Sequence, residues 1–332
     1  MTALLPLLLF AGSAIVIYYA CSFFVNGVEW LGRRLNLSQT ATGTVLAAFG
    51  TALPETVVTF FAVVVAGSAA DKDIGVGAAL GGPLALATIA YPIAGAAMLR
   101  AYRRRGRPDV AVAVEASLRR DQRLFLVIFA LKLFLGVVVF GWKHWLGIVF
   151  FIAYGFFVRA ELAREPDAAH ETLQPLRFQP RAEPRLPVIL LQVALSLAFI
   201  AAASHTFVQQ LEAVGVALHV TPQLVSLLLS PVATELPEVV NALIWIRQGK
   251  ERLALANISG AMMIQATLPT GLSILFTPWY FDHITLIAGG LTAVAMAVLL
   301  LLFARKQVDV RWLLPLTALY ALFGLSAALL TP

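Results

Sequence analysis

Residues 50–55 read GTALPE and residues 233–238 read ATELPE, each placing a threonine, a proline and a glutamate inside a long apolar run. The first stands in SQTATGTVLAAFGTALPETVVTFFAVVVAG, residues 38–67. Proline removes a helical hydrogen bond, and a charge at the centre of a bilayer costs about 2.5–3.5 kcal/mol. A chain that carries this combination twice is using it for something. The surrounding composition sets the solvent: 60% of the residues are hydrophobic, 13% are charged and the mean hydropathy is +0.85. Soluble domains carry about 25% charged residues, so the chain reads as an integral membrane protein.

About 20 apolar residues span a bilayer. On that ruler ten spans are expected, at roughly 3–24, 40–66, 74–98, 124–142, 145–163, 187–210, 221–246, 254–277, 283–303 and 312–330. The pI near 9.7 reflects topology rather than a nucleic-acid partner. With these spans, 21 of the 24 Lys and Arg residues fall at the loops after odd-numbered spans; Lys72, Lys132 and Lys143 are the exceptions. Positive charge collects on the cytoplasmic side. Both termini are therefore expected outside, in a multi-pass cell-membrane protein whose basic loops meet anionic lipid. Short loops and the lack of a regulatory domain suit a prokaryotic inner membrane. Span 1 lacks a positive n-region and reads as retained. The single cysteine, Cys21, reads as packing.

Shifting the sequence by 183 residues aligns 24–57 with 207–240 without a gap. Ten positions are identical, among them Glu29 with Glu212, and Thr51, Leu53, Pro54 and Glu55 with Thr234, Leu236, Pro237 and Glu238. The copies begin five spans apart, and an odd offset inverts the second. The expected architecture is an all-α integral membrane protein with ten transmembrane helices as two inverted five-helix repeats. Residues 1–163 form the first repeat, 164–186 a cytoplasmic, proline-rich linker and 187–332 the second. In inverted-repeat transporters the site lies near the midplane between the halves.

The site chemistry follows from the same motifs. Pro54 and Pro237 free the carbonyls of Gly50 and Ala233. Such carbonyls are tolerated in a membrane where they line a cavity. With the hydroxyls of Thr51 and Thr234 and the carboxylates of Glu55, Glu235 and Glu238, they make a hard-oxygen set suited to Ca²⁺, Na⁺ or Mg²⁺. Neutralisation of the acids by Lys132, or their protonation, is the structural alternative.

GTALPE and ATELPE resemble the paired GTSLPE signatures of the calcium/cation antiporter superfamily, the sodium/calcium exchanger-like membrane proteins. The resemblance covers about 24–90 and 207–270. It implies two inverted five-helix repeats, exchange of Ca²⁺ against Na⁺, K⁺ or H⁺, and ion-site roles for Thr51, Glu55, Thr234 and Glu238. The family's following helices, GNxxGSNxxN/D-like, match GAALGGPLAL (77–86) and ANISGAMMIQ (256–265) imperfectly. Gly82, Leu86, Ala261 and Gln265 replace its polar residues, and Ala52 and Glu235 replace the motif serine. Standard Na⁺ coordination looks impoverished, while Glu235 adds a titratable acid, and clustered acids have raised pKa values.

The expectation is a secondary antiporter moving Ca²⁺ against H⁺ or Na⁺ by alternating access, with Glu235 and Gln265 tuning the site. Its partners are inorganic cations and membrane lipid; no nucleic acid, resident cofactor or obligatory protein partner is expected. The alternatives are a divergent member exchanging Mg²⁺, Mn²⁺ or a monovalent cation, and a non-transporting relative. An intramembrane enzyme would need an H-E-x-x-H pair or paired aspartates, which the sequence lacks. Glu29 and Glu212 read as interfacial, with gating as the sharper option, and His205 as a packed or interfacial histidine. WKHW (142–145) and PWYFDH (278–283) read as an interfacial aromatic belt. Residues 110–120 read as a surface amphipathic segment or a solvated loop.

Overall fold

The computed structural model describes residues 4–60, 63–64, 69–107, 109–164, 173–217, 228 and 230–330. The side chains of 53–55 and of 211–217 lie outside that description, as do residues 165–172 of the linker. The described chain is helical apart from one short ribbon. Its helices are α1 (Leu4–Arg34), α2 (Ala48–Phe60), α3 (Ala69–Ala85), α4 (Tyr91–Arg104), α5 (Ala116–Val137) and α6 (Gly147–Leu162). After the linker come α7 (Leu186–Ala217), α8 (Ser230–Thr234), α9 (Leu236–Gln248), α10 (Glu251–Phe276), α11 (His283–Phe303) and α12 (Thr317–Leu330). π turns at Thr42–Ala47 and Leu86–Ala90 lead into α2 and α4.

Among the described residues, seven helical segments are long and apolar enough to cross a membrane. They are Pro6–Arg34, Ala79–Arg104, Lys143–Leu162, Leu186–Gln210, Glu251–Phe276, His283–Phe303 and Val310–Leu330. The helix that carries the expected fourth span starts before the apolar run, at Ala116. Residues 111–113 form a strand (β1) paired antiparallel with Gln307–Asp309 (β2), which replaces the surface helix or loop expected at 110–120. Glu115, in extended conformation, then opens α5. Other boundaries follow local chemistry: Ser38 caps its turn through Ala41 N (3.1 Å), and Asp282 caps α11 through Thr285 N (2.8 Å). Gly249 at φ +82° ends α9, a conformation glycine adopts without the Cβ clash.

Two long helices, α1 and α7, pack mainly against each other. The other hub is α10, buried along nearly its whole length between α2, α3, α5, α6 and α9. Glycines set that closeness. A Cβ on Gly43 would meet Ala256 Cβ at 2.8 Å, and one on Gly260 would strike the Thr44 backbone.

Basic residues close one end of the bundle, and ion pairs knit that end together. Arg105 meets Glu251 at 3.4 Å, Arg120 meets Glu161 at 3.0 Å, and Arg252 pairs with Glu115. Lys250 meets Glu29 at 2.5 Å while Trp245 Nε1 donates to the same carboxylate at 2.8 Å. Glu29, read as interfacial, is a buried tie between α1 and the α9–α10 corner. Removing one partner of a buried pair strands the other. Glu29→Gln is expected to lose about 3 kcal/mol, seen as a lower thermal midpoint in detergent.

Before the apolar run of α5 begins, Asp121 sits buried beside Glu161 and Arg164, whose Nη2 lies 3.3 Å from Asp121 Oδ1. Burial, then the Glu161 charge, lift its carboxyl from 3.8 to about 8 against the pull of Arg164 and Arg120. A carboxyl raised on folding binds its proton more tightly in the native state. Its stabilisation is complete below the unfolded value and is lost as pH rises through about 8. Asp121→Asn should flatten the fall of the thermal midpoint between about pH 5 and pH 9; an unchanged slope would remove Asp121 as its source.

Candidate cation site

The second motif sits at a helix break. α8 ends at Thr234, Glu235 takes φ −81°, ψ 2°, and α9 starts at Leu236 with Pro237 next and Glu238 in its first turn. Proline suits the first turn of a helix, where its missing N–H is no loss. The positive end of that helix favours the Glu238 carboxylate. Thr234 Oγ1 donates to Pro231 O (3.1 Å) and Thr51 Oγ1 to Ala47 O (3.2 Å). Both hydroxyl protons are thus spent on their own helices.

Across from this break, Gln265 of α10 donates its side-chain amide to Glu235 Oε1. Gly82 of α3 leaves them room. A Cβ there would lie 2.6 Å from Gln265 Oε1 and 2.8 Å from Glu235 Oε1, closer than real Cβ contacts. The departures at 82, 235 and 265, separate in the sequence, occupy one space. Asn257 Nδ2 donates to Glu238 O (3.3 Å), tying α10 to the motif, and Cys21 Sγ lies 3.8 Å from Pro237 O.

Glu235, Glu238, Gln265, Thr51 and Ala233 are all buried, and Thr234 is half-buried. Gly50 is buried where a Cβ would meet Phe24 of α1 at 2.8 Å and Leu197 of α7 at 3.2 Å, so it lets the long pair approach α2. Glu55 lies in α2, which packs on α10, but its side chain is outside the described residues. Glu212, the repeat mate of Glu29, is outside them as well.

The described hydrogen bonds of Lys132 lead elsewhere than Glu235 and Glu238. It is fully buried in α5, and its hydrogen bonds go to Ala79 O (2.7 Å) and Thr270 Oγ1 (3.3 Å), with no described carboxylate reaching it. The aromatic belt divides. Trp142, Trp145 and Tyr280 are exposed, whereas Trp279 is buried and donates to Lys132 O at 3.1 Å. His205 is not packed inside; its Nε2 meets Gln209 Nε2 at 2.9 Å on an exposed face.

Two residues were missed or underweighted in the sequence. Asn241 follows Glu238 by three residues, on the same buried helix face, and neither of its side-chain polar atoms has a partner among the described residues. Asn257 Oδ1 is likewise without one. The i, i+3 spacing of Glu238 and Asn241 was the available signal. Carboxylate, amide, hydroxyl and carbonyl oxygens in a dry pocket can hold a hard cation. Among the described residues no group of three or more His, Cys, Asp or Glu side chains is placed to hold a metal ion.

The profile described as sodium/calcium exchanger protein matches residues 5–162 and 188–330. An uncharacterized membrane protein of Methanocaldococcus jannaschii is 21% identical over 301 residues, 90% of this chain and 89% of that one. Inner membrane protein YrbG of Escherichia coli is 26% identical over 289 residues, 83% and 81% of the two chains. Among solved structures, the sodium-calcium exchanger NCX_Mj soaked with 2.5 mM Na⁺ and 0.1 mM Ca²⁺ superposes with a TM-score of 0.74. It is 18% identical and covers 96% of this chain and 97% of that one. NCX_Mj soaked with 100 mM Na⁺ and 10 mM Sr²⁺ gives a TM-score of 0.75 over the same shares.

Proposed function

Since the chain belongs to the sodium/calcium exchanger protein family, we propose that it is a Ca²⁺ antiporter driven by protons. Its ten helices form two inverted halves, residues 1–163 and 187–332, joined by the linker 164–186. The basic end faces the cytoplasm, with both termini outside. The family makes it a multi-pass membrane protein for inorganic cations rather than an enzyme; the ion, the counter-ion and the topology are our reading. Glu55 and Glu238 hold the divalent cation, with Thr51, Thr234 and the carbonyls of Gly50 and Ala233 adding oxygens. Asn241 joins them from the turn after Glu238.

The observation that carries proton coupling is the contact of Glu235 with Gln265 in the room left by Gly82. A carboxyl and an amide stand there, three residues before a second buried acid, Glu238. Two acids in a dry site resist being charged together, so arrival of Ca²⁺ expels a proton and its departure lets one rebind. Access changes as α1 and α7, which pack mainly on each other, shift as a unit past the core built round α10. Gly50, at their junction with α2, would transmit that shift to the site.

Flux into proteoliposomes tests this, with Na⁺ and H⁺ gradients imposed separately. A ΔpH should drive Ca²⁺ movement in the wild type and fail to do so in Glu235→Gln. Uptake that follows a Na⁺ gradient and ignores ΔpH would overturn proton coupling, and movement of Mg²⁺ or Mn²⁺ in place of Ca²⁺ would overturn the substrate.

A further inference from the structure

Lys132 presents a problem that the antiport reading leaves unsolved. An ammonium is buried in the middle of α5, with its aliphatic stem unable to snorkel, because Trp279 and Phe281 close the end of the helix. Trp279 Nε1 donates to Lys132 O, Phe281 N donates to Gly136 O (3.2 Å), and the Phe281 ring presses on Gly136. No described carboxylate compensates the charge. Its partners are one carbonyl, one hydroxyl and the face of Phe129, 4.7 Å from Nζ.

Those oxygens are not incidental. Ala79 stands four residues before Pro83, the proline inside α3, so its carbonyl has lost its ordinary helical donor. Gln265 stands four residues before Pro269, the proline inside α10, and its carbonyl is freed in the same way. Thr270 Oγ1 donates to that Gln265 carbonyl (3.1 Å) and accepts from Lys132. Two prolines on two helices thus supply a hard-oxygen pocket of freed carbonyls and a threonine hydroxyl. This is the recipe expected at the two motifs, and the group in the pocket is the Lys132 side-chain nitrogen.

The pocket is also continuous with the site. Lys132 bonds Thr270, Thr270 bonds the Gln265 carbonyl, and the Gln265 amide bonds Glu235. Gly82, which makes room for that last contact, is one turn of α3 from Ala79.

We propose that the Lys132 ammonium is a tethered cation: it fills an oxygen position, made by Ala79 O and Thr270 Oγ1, that a monovalent metal ion would otherwise take. The proposal rests on the antiport reading and extends it. A chain that carries its own monovalent charge beside the site needs one fewer from solution, in keeping with the loss of polar residues at 52, 82, 86 and 261. A merely structural lysine would tie α3 to α10 without any consequence for ion requirements.

The test uses the full-length protein with Lys132→Met, which empties the position, and Lys132→Gln, which keeps N–H donors for Ala79 and Thr270 and so protects the fold. Thermal midpoints are read in NaCl and in choline chloride at equal ionic strength, alongside Ca²⁺ flux in the same salts. The wild type should not distinguish the salts. Lys132→Met should, with NaCl raising the midpoint by about 5 °C and the flux by about 10-fold, whereas Lys132→Gln, whose amide still fills the position, should respond less. Variants that fold and remain indifferent to Na⁺, or a wild type as Na⁺-responsive as they are, overturn the proposal. If the wild type moves no cation under any gradient, the antiport reading falls instead. The Na⁺-dependent midpoint of the variants still reports on the pocket in that case.

Discussion

Glu238→Gln is expected to abolish tight Ca²⁺ binding, lowering affinity by roughly 100-fold or more, since even outer partners of a metal ion contribute 10–100-fold. The substitution is isosteric, so the packing of α9 and the Asn257 bond to the Glu238 carbonyl both survive. What disappears is one full negative charge in the first turn of a helix, in a buried pocket where charge is poorly screened. The fold should not suffer: neutralising a charge buried beside a second acid leaves the thermal midpoint equal or higher. Titration calorimetry on the purified variant separates the two effects. Wild-type affinity in Glu238→Gln would end the assignment of the site. Glu235→Gln is the control, because it should retain Ca²⁺ affinity within several-fold while losing the response to ΔpH.

Gly82→Ala carries the second large effect. The new methyl would stand 2.6 Å from Gln265 Oε1 and 2.8 Å from Glu235 Oε1, and both side chains are hemmed in by buried neighbours. Overpacking of this kind costs about 1–3 kcal/mol. Here it also breaks the Gln265–Glu235 hydrogen bond, so stability and Ca²⁺ affinity should fall together. The diagnostic measurement is a double-mutant cycle. Shortening Glu235 to alanine removes one clash and gives Gln265 room to move off the methyl, so Gly82→Ala should cost less in the Glu235→Ala background, with a coupling of about 0.5–3 kcal/mol. Additive costs would mean that residues 82 and 235 do not share a space, and that the three departures arose independently.

Much of this was legible because the membrane punishes polar residues. Thr51, Glu235 and Glu238 stood out against an apolar background, and burial is where the structure puts them. The prolines announced freed carbonyls, and the charge asymmetry announced a basic end. Hydropathy did less well at span edges. α5 begins at Ala116 because Glu115 and the β1–β2 ribbon start it, both local devices that an apolar window does not see.

What stayed hidden was contact between distant residues. Gly82 read as a lost ligand, whereas its small size is what lets Glu235 and Gln265 meet. Lys132 stood only as an alternative partner for the acids, and its described bonds include a proline-freed carbonyl on α3. Trp279 read as a belt residue from its neighbours Trp142, Trp145 and Tyr280, yet it points inward and bonds the backbone of α5. In each case the residue type was right for a membrane and the tertiary neighbour decided its use.

The burial of α10 has a consequence for how the protein is made. This helix carries Asn257, Ser259, Gln265, Thr267, Thr270 and Ser273, all turned away from lipid. Alone in a bilayer it would be a poorly inserting segment, with an amide or hydroxyl on nearly every turn. Its surroundings from α2, α3, α5 and α6 are all translated before it. The ribosome therefore delivers this helix, with its buried polar residues, after those packing partners, onto a half that is already in the membrane. Biogenesis of the second half becomes templated: α10 enters against a prepared protein surface rather than against hydrocarbon.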